Sequence, residues 1–571
     1  MVDEFIHEPR IAYFSMEIAL RSQIPTYSGG LGVLAGDTLR SAADLELPLV
    51  AVSLVSRAGY FRQGIDEEGR QVELAANWNP AQWARLLSAK VGLEIEGYLV
   101  WVGAWLYVLE SHLGARQPVV LLDTELDENR PPDREITHHL YGGDELYRLK
   151  QEMVLGIGGA RMLQALGFNV RAYHMNEGHS SLLGLELLRR YAYAPEDLQT
   201  GESPYNLPRV RARCRFTTHT PVESGHDRFS YELVERAFRA ADGGDRLFDL
   251  PTLKQLAGAD SLNMTRLGLN LSEYVNGVAE RHAEVSRRMY PGYHVHAITN
   301  GVHLFTWAAD SFRKLYDQYL PGWCIEPELL MRADGIPDAA IWDAHLDAKR
   351  ALIARVLQLT GRSLDLAAPI LGFARRMTAY KRPDLLFSDI DRLMQISAEH
   401  RFQVVLAGKA HPNDAQGKQL IEHLHQHAHA LGTDVPVVFL PDYDMDLGRL
   451  MVGGADIWLN TPLPPMEASG TSGMKAALNA VPNLSVLDGW WIEGCIEGVT
   501  GWAIGAAGSR AEDAAESLYG KLQATVLPLF YARSGGSTGW LQVMKGAISK
   551  NASYFNSHRM MRRYATEAYL R

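Results

Sequence analysis

The stretch Ile370-Leu371-Gly372-Phe373-Ala374-Arg375-Arg376-Met377-Thr378-Ala379-Tyr380-Lys381-Arg382-Pro383 joins a short apolar run to a basic one. An apolar run of that length, ended by polar residues, fits a strand buried on both faces, the kind that builds parallel sheets. Four cations then fall within the eight positions 375–382, and Pro383 suits the first residue of a helix. Cations at a strand's carboxyl end beside a helix N-terminus outline a phosphate site, since Arg offers a planar fork and Lys a point charge. Taken alone, a solvated basic loop is the commoner meaning of such a block.

Outward from this stretch the same alternation recurs. Residues 404–407, 437–440 and 457–460 read as further strands, and a helical pattern covers 342–359. In the first half, strands are expected at 47–55, 99–109, 119–123, 170–176 and 214–218, and helices at 145–166, 180–191 and 264–290. Short β-rich runs alternating with helices predict an α/β protein with parallel sheets. Thr299-Asn300-Gly301, where a strand-like run meets a turn, is read as a hinge. It divides the chain into two doubly wound domains, 1–300 and 301–571, facing across a cleft, with ligands at the strands' carboxyl ends. The terminal segment 540–571 is expected to be helical and to pack back across the hinge.

Composition bounds the function. The 571 residues are 47% hydrophobic and 22% charged, a globular balance, and the net charge is −11. Such a chain lacks the broad basic surface that nucleic acid or an anionic membrane selects. Three cysteines, Cys214, Cys324 and Cys495, suggest a reducing compartment rather than a disulfide framework. The opening MVDEFIHEPR is not a secretory signal, and residues 47–55 are too few to span a bilayer, so the expected location is cytoplasmic.

Three more stretches carry chemistry. Ser28-Gly29-Gly30-Leu31-Gly32 precedes a helix and bares backbone amides to an anion, without the spacing of a Walker or dinucleotide loop. Glu467-Ala468-Ser469-Gly470-Thr471-Ser472-Gly473-Met474-Lys475 opens a helix expected at 474–480, with Lys475 in its first turn. There the helix dipole and nearby cations should lower its pKa, and an unprotonated lysine is what attachment of an aldehyde cofactor requires. Phe216-Thr217-Thr218-His219 ends a strand in a loop whose histidine can hydrogen-bond a polar ligand. The alternating His423, His425, His427 and His429 read as a solvated helix face, and His174, Glu177 and His179 as a polar cleft loop rather than a metal site.

Together these stretches resemble the α-glucan phosphorylases, the glycogen, starch and maltodextrin phosphorylase family. SGGLG at 28–32, YHMNEGH at 173–179, TTHTP at 217–221, VNGVAERH at 275–282, TNG at 299–301, RRMTAYKR at 375–382, GKAHP at 408–412 and EASGTSGMK at 467–475 carry the likeness in order. The resemblance implies a GT-B fold, pyridoxal 5′-phosphate on Lys475, and reversible retaining phosphorolysis of α-1,4-glucan or malto-oligosaccharide by inorganic phosphate to glucose 1-phosphate. It further implies that Arg376 binds inorganic phosphate, that Lys381 bridges the two phosphates, and that Arg375 supports the cofactor phosphate. Amides of Gly29 and Gly30 face the phosphates, Thr471 and Ser472 complete the cradle, and Tyr443 lies beside the cofactor. His219 and Asn300 should hold the sugar's primary hydroxyl, and Glu467, Ser469, Gly470 and Tyr380 its ring hydroxyls.

Departures from the family are GTSGMK for GTGNMK and TAYK for HEYK, with both lysines kept. The chain begins almost at IAYFSMEIAL, so the allosteric control carried by a long N-terminal segment in animal members is expected to be absent. Family members usually dimerise, which makes a homodimer one expected state. Two rivals share parts of the pattern. A synthase-type sugar-nucleotide transferase carries a Glu, seven intervening residues and then a second Glu, where this chain instead has Lys475 eight positions past Glu467. A non-catalytic glucan-binding relative would be expected to lose the basic block or Lys475.

Overall fold

Residues 2–199, 202–240, 248–506 and 513–570 are described by the structure, a computed structural model, so Met1 and Arg571 lie outside it. The first half is organised on Arg10–Ser15 (β1), buried along its whole length. It is followed by Leu49–Leu54 (β2), Tyr98–Glu110 (β3), Arg116–Asp123 (β4), Val170–Asn176 (β5), Cys214–Thr217 (β6), Tyr274–Gly277 (β7) and His296–Ala297 (β8). Their order across the sheet is β8-β7-β6-β5-β1-β2-β4-β3, parallel except at β3, which also carries the short strands Arg85–Leu86 and Val91–Ile95. Winding reverses between β1 and β5.

The second sheet is wholly parallel. It contains Ile370–Ala374 (β9), Gln403–Ala407 (β10), Val437–Leu440 (β11), Ile457–Asn460 (β12), Asn483–Val486 (β13) and Gly501–Ile504 (β14), in the order β11-β10-β9-β12-β13-β14. Every residue of β9 to β14 is buried, which is why β9 to β12 are near-continuous apolar runs. Winding reverses between β9 and β12, and the crevice beyond the carboxyl ends at such a switch point is where open α/β sheets bind ligands.

Several expectations need correction. Residues 264–290 are not one helix: Met264–Asn270 and Glu280–Met289 flank β7, a strand too short to break the helical spacing around it. β1, β13 and β14 carry Arg, Asn, Ser or Gly among their apolar residues and were not anticipated as strands. No α-helix starts at Pro383. Tight turns Ala379–Lys381 and Leu385–Phe387 replace it, Arg382 takes a left-handed φ of 44°, and the next α-helix starts at Ile390. The basic block is therefore shaped by loop contacts rather than by a helix end.

The chain crosses itself at Gly301. Val302 donates its amide to the Phe555 carbonyl at 3.2 Å and accepts from the Ser557 amide at 2.9 Å. A Cβ on Gly301 would stand 2.1 Å from the carbonyl carbon and oxygen of Asn556, so only glycine lets the two backbones pass. Beyond the crossing, Ser557–Arg563 and Tyr564–Tyr569 lie on the first sheet. There the Tyr569 hydroxyl is 2.6 Å from His174 Nδ1, and Asn276 Nδ2 donates to the Tyr564 hydroxyl at 2.9 Å. Among the described residues no helix is long and apolar enough to cross a membrane. Gly301→Ala should cost about 1–3 kcal/mol through forced displacement of the returning segment. A thermal-unfolding midpoint unchanged from the parent would contradict this reading of the crossing.

Candidate active site

The loops after β9 and β12 are tied together. The Thr461 hydroxyl bonds the carbonyls of Lys381 and Arg382 at 3.0 and 2.8 Å, and Arg382 returns bonds to the carbonyls of Thr461 and Pro462. Gly408, after β10, has φ 147°, and a Cβ there would lie 1.8 Å from the Arg375 carbonyl oxygen. Within this frame Arg375 Nη1 and Lys381 Nζ converge on one oxygen of Glu467, at 2.5 and 2.8 Å, with all three side chains buried. Burial alone would raise the Glu467 pKa, but Arg375 and Lys381 hold it down to about 2. Asp488, after β13, accepts the amides of Glu467 and Gly489 at 2.9 and 3.0 Å. Burial chiefly, with the Glu467 charge adding, pushes Asp488 up to about 6.

Arg376 points elsewhere. Its side chain reaches solvent within a crowded cleft and makes no hydrogen bond or ion pair among the described residues. Burial opposes its charge, yet Glu17 and the tyrosines Tyr380, Tyr60 and Tyr141 leave its pKa raised. A Cβ on Gly29 would stand 3.2 Å from Arg376 Nη2, so the glycine loop of the first sheet touches the basic loop of the second.

Glu17, just past β1, organises that glycine loop. Its Oε2 accepts the amides of Ser28 and Gly29 at 2.6 and 3.1 Å, and Oε1 accepts the Tyr141 hydroxyl at 2.9 Å. The Gly29 amide, expected to face the phosphates, is thus engaged by the chain's own carboxylate. The first-turn amides of α1 (Gly30–Asp44) have no acceptor within the helix, and the place of a Gly30 side chain is open space.

Lys475 lies in α2 (Thr471–Leu478), which begins after Gly470 in a left-handed conformation at φ 88°. The helix starts three residues earlier than expected, so Lys475 is its fifth residue and escapes the first-turn dipole. Its pKa is nonetheless lowered to about 8: burial is the main cause, Asp37 of α1 opposes it and Arg40 adds to it. Nζ stands 3.5 Å from the centre of the Trp307 ring, and Trp307 Nε1 donates to both Asp37 oxygens at 3.0 and 2.8 Å. Ser472 accepts from Trp458 Nε1 at 3.1 Å, while Ser469 Oγ is buried with no hydrogen-bond partner. Tyr443 packs its hydroxyl against Gly448, and burial with Asp444 raises its pKa against the pull of Arg375. Lys381 Nζ lies 4.5 Å from the centre of the Tyr380 ring.

His219 and Asn300 line one small cavity with Leu34, Thr38 and Asn176. Burial chiefly keeps His219 neutral, its pKa well below the ordinary value. Nε2 lies 2.6 Å from Asn176 Oδ1 and so carries the proton, which leaves Nδ1 as an acceptor. Asn300 Oδ1 is buried and unpaired. Nearby, the Glu177 carboxylate accepts the His219 amide at 2.7 Å, and His174 bonds Thr217 and Tyr569, as suits a polar loop. The alternating histidines are mixed rather than a uniformly solvated face: His423 and His429 are exposed, but His427 stacks on Phe387 and His425 packs on Phe439.

The residues missed in the sequence are Glu17, Asp37, Trp307 and Asp488. Glu17 and Asp488 follow strands that were not anticipated. Asp37 and Trp307 belong to no motif and meet Lys475 only through folding.

Two sheets with switch-point loops, a cluster of cations after β9 and a buried lysine of lowered pKa define an α/β protein whose site is suited to anions beside a polar ligand. The chain belongs to the carbohydrate phosphorylase family, whose sequence model matches residues 238–524. It is 37% identical to a maltodextrin phosphorylase of Thermococcus litoralis, across 98% of this chain and 70% of that one. It is 35% identical to a glycogen phosphorylase of Aquifex aeolicus (99% and 87%) and 36% identical to one of Mycobacterium tuberculosis (98% and 70%).

Two measurements test the site. In protein stripped of any bound aldehyde, reductive trapping of an aldehyde on Lys475, followed by peptide mass spectrometry, should rise with pH through about 8. Asp37→Asn removes the charge that holds the lysine's proton and should move the midpoint lower; a midpoint near the ordinary lysine value counts against the buried setting. Glu467→Gln leaves two buried cations without their carboxylate and should cost about 3–5 kcal/mol, partly recovered by added phosphate.

Proposed function

We propose that this chain catalyses reversible, retaining phosphorolysis of α-1,4-glucan or maltodextrin by inorganic phosphate, releasing α-glucose 1-phosphate, with pyridoxal 5′-phosphate held on Lys475. The two sheets are read as the doubly wound domains of a GT-B fold, 1–300 and 301–571, with the site between them. Family membership supports the reading, and the relatives named above are maltodextrin and glycogen phosphorylases. The observation that carries it is Arg376, unpaired and touching Gly29, beside Arg375 and Lys381 locked on Glu467.

The residues fit the cofactor. A buried amine with a pKa of about 8 is available for an aldehyde near neutral pH, and the unpaired Ser469 Oγ and Asn300 Oδ1 await polar partners. Lys475 would tether the group, with Arg375, Gly30, Thr471, Ser472 and Tyr443 around it. Bound pyridoxal 5′-phosphate supplies a phosphate group that shares a proton with the substrate phosphate. Adjacent phosphates repel, and Arg375, Arg376 and Lys381 would supply the positive charge that holds them together.

Arg376 would grip inorganic phosphate, and Lys381 would help neutralise it and the cofactor phosphate. His219 accepts a sugar hydroxyl at Nδ1, because Asn176 already takes its Nε2 proton. Asn300, Tyr380, Glu467, Ser469 and Gly470 orient the remaining hydroxyls, and Gly29 keeps the glycine loop close to the anion. The held phosphate gives its proton to the leaving glycosidic oxygen as the C1–O bond breaks, then bonds C1 on the same face, which retains configuration.

Incubation with maltodextrin and inorganic phosphate should yield glucose 1-phosphate, with an absorption band beyond the protein band. Lys475→Ala should lose both, and Arg376→Ala should lower kcat/KM for phosphate by about 10²–10³. Turnover that requires a sugar nucleotide and survives Lys475→Ala would falsify the proposal in favour of the transferase reading.

A further inference from the structure

α1 ends at Asp44, in a cluster that the proposed reaction does not use. The Asp44 side chain is 0% exposed and faces histidines from three separate segments. His112 lies in the turn between β3 and β4, His303 just beyond the crossing at Gly301, and His558 on the returning helix Ser557–Arg563. His303 Nε2 is 2.7 Å from Asp44 Oδ2, His558 Nε2 is 3.4 Å from the same oxygen, and His112 Nδ1 is 3.4 Å from Oδ1. The ligand atoms of Asp44, His112 and His303 all lie within 4.8 Å of one another.

One hydrogen bond, from His303 Nε2 to Asp44 Oδ2, satisfies only part of this cluster. Asp44 Oδ1, both ring nitrogens of His112 and His558 Nε2 are buried without a well-formed bond. Native interiors rarely leave one such atom unpaired, and four at one point ask for an occupant. Spacing identifies its kind. Two atoms bridged by one water stand about 4.5 Å apart, given ordinary hydrogen-bond lengths. Two ligands on a tetrahedral zinc stand about 3.4 Å apart, given metal–ligand bonds of about 2.0–2.1 Å. The His112–Asp44 and His558–Asp44 separations match the metal, whereas His303–Asp44 at 2.7 Å is a hydrogen bond that would have to open by a few tenths of an ångström to admit it.

The surroundings suit a metal as well. His303 Nδ1 has the Thr306 hydroxyl at 2.7 Å and accepts the Thr306 amide at 3.3 Å, which fixes the ring's orientation, and Nε2 would give up its proton and its bond to Asp44 on ligation. His558 Nδ1 has the Ser41 hydroxyl at 3.4 Å, and Phe305 stacks flat on His112 at 4.2 Å. Imidazole nitrogens with one carboxylate form a donor set that suits zinc, and a cation at the C-terminal end of α1 also meets the negative end of its dipole.

We propose that Asp44, His112, His303 and His558 bind one zinc ion as a structural site. With four protein ligands no position is left for a substrate, so the ion acts as a staple. It joins the end of α1, the β3–β4 turn, the chain crossing and the returning helix. The other end of α1 is the glycine loop against Arg376, so the staple also steadies the anion loop.

The full chain, loaded with zinc and dialysed, should retain one zinc by elemental analysis. Chelation should lower the unfolding midpoint by about 5 °C or more. Cobalt(II) in place of zinc should give the strong visible absorption of a tetrahedral site, a readout that needs no variant. His112→Gln and His558→Gln should each lose the ion, whereas the double variant His423→Gln and His427→Gln, which removes the competing surface pair, should keep it. Zinc retained by His112→Gln and His558→Gln alike, or no metal uptake with an unchanged midpoint, overturns the proposal.

Discussion

Two cations sharing one carboxylate set the terms for the rest of this molecule. Arg375 and Lys381 would each be costly to bury alone, and Glu467 makes their burial tolerable while leaving the three groups together net positive. The triad requires loops from β9 and β12 to meet, and the second sheet supplies that adjacency because its winding reverses between those two strands. Gly408 and Thr461 then fix the backbone so that the side chains need little reorganisation. Arg376, one residue from this locked pair, is the guanidinium left to respond to a ligand.

Helix α1 connects the remaining parts. Its first turn faces Arg376, Asp37 in its middle meets Trp307 and tunes Lys475, and Asp44 at its end gathers three histidines. Fifteen residues at helical rise make a rod of about 22 Å. A rod registers all of its attachments together, so a constraint at Asp44 is felt at the glycine loop without any intervening network.

Part of this was legible in the sequence. β9 to β12 could be read because strands buried on both faces are continuous apolar runs, and the basic block stands at once after one of them. β1 could not, since Arg10 at its start is buried through bonds to the Phe5 and Leu49 carbonyls that only the fold provides. The direction of the Lys475 shift was readable but its cause was not: the motif names the lysine, while depth and Asp37 come from packing. Glu17 bonds Ser28 eleven positions on and Tyr141 a further stretch away, 124 positions from itself, a separation no local pattern encodes. The regular spacing of His423 to His429 drew attention, whereas His112, His303 and His558 have no spacing to notice and meet only in three dimensions.

The overall acidity of the chain and the basicity of its site are two sides of one arrangement. Each cationic or amide-rich element of the cleft faces a carboxylate of its own: Glu467 the Arg375–Lys381 pair, Glu17 the Ser28 and Gly29 amides, Asp37 the Lys475 ammonium. Such pairing keeps donors aimed before any ligand arrives, and preorganised donors are worth more at a reaction centre than donors that must first turn. It also shows how a net charge of −11 is compatible with a local cluster of cations. The local field is set within a few ångströms by Arg375, Arg376 and Lys381 together with Glu467, Glu17 and Asp488, and the distant acidic surface is screened by salt over about 8 Å.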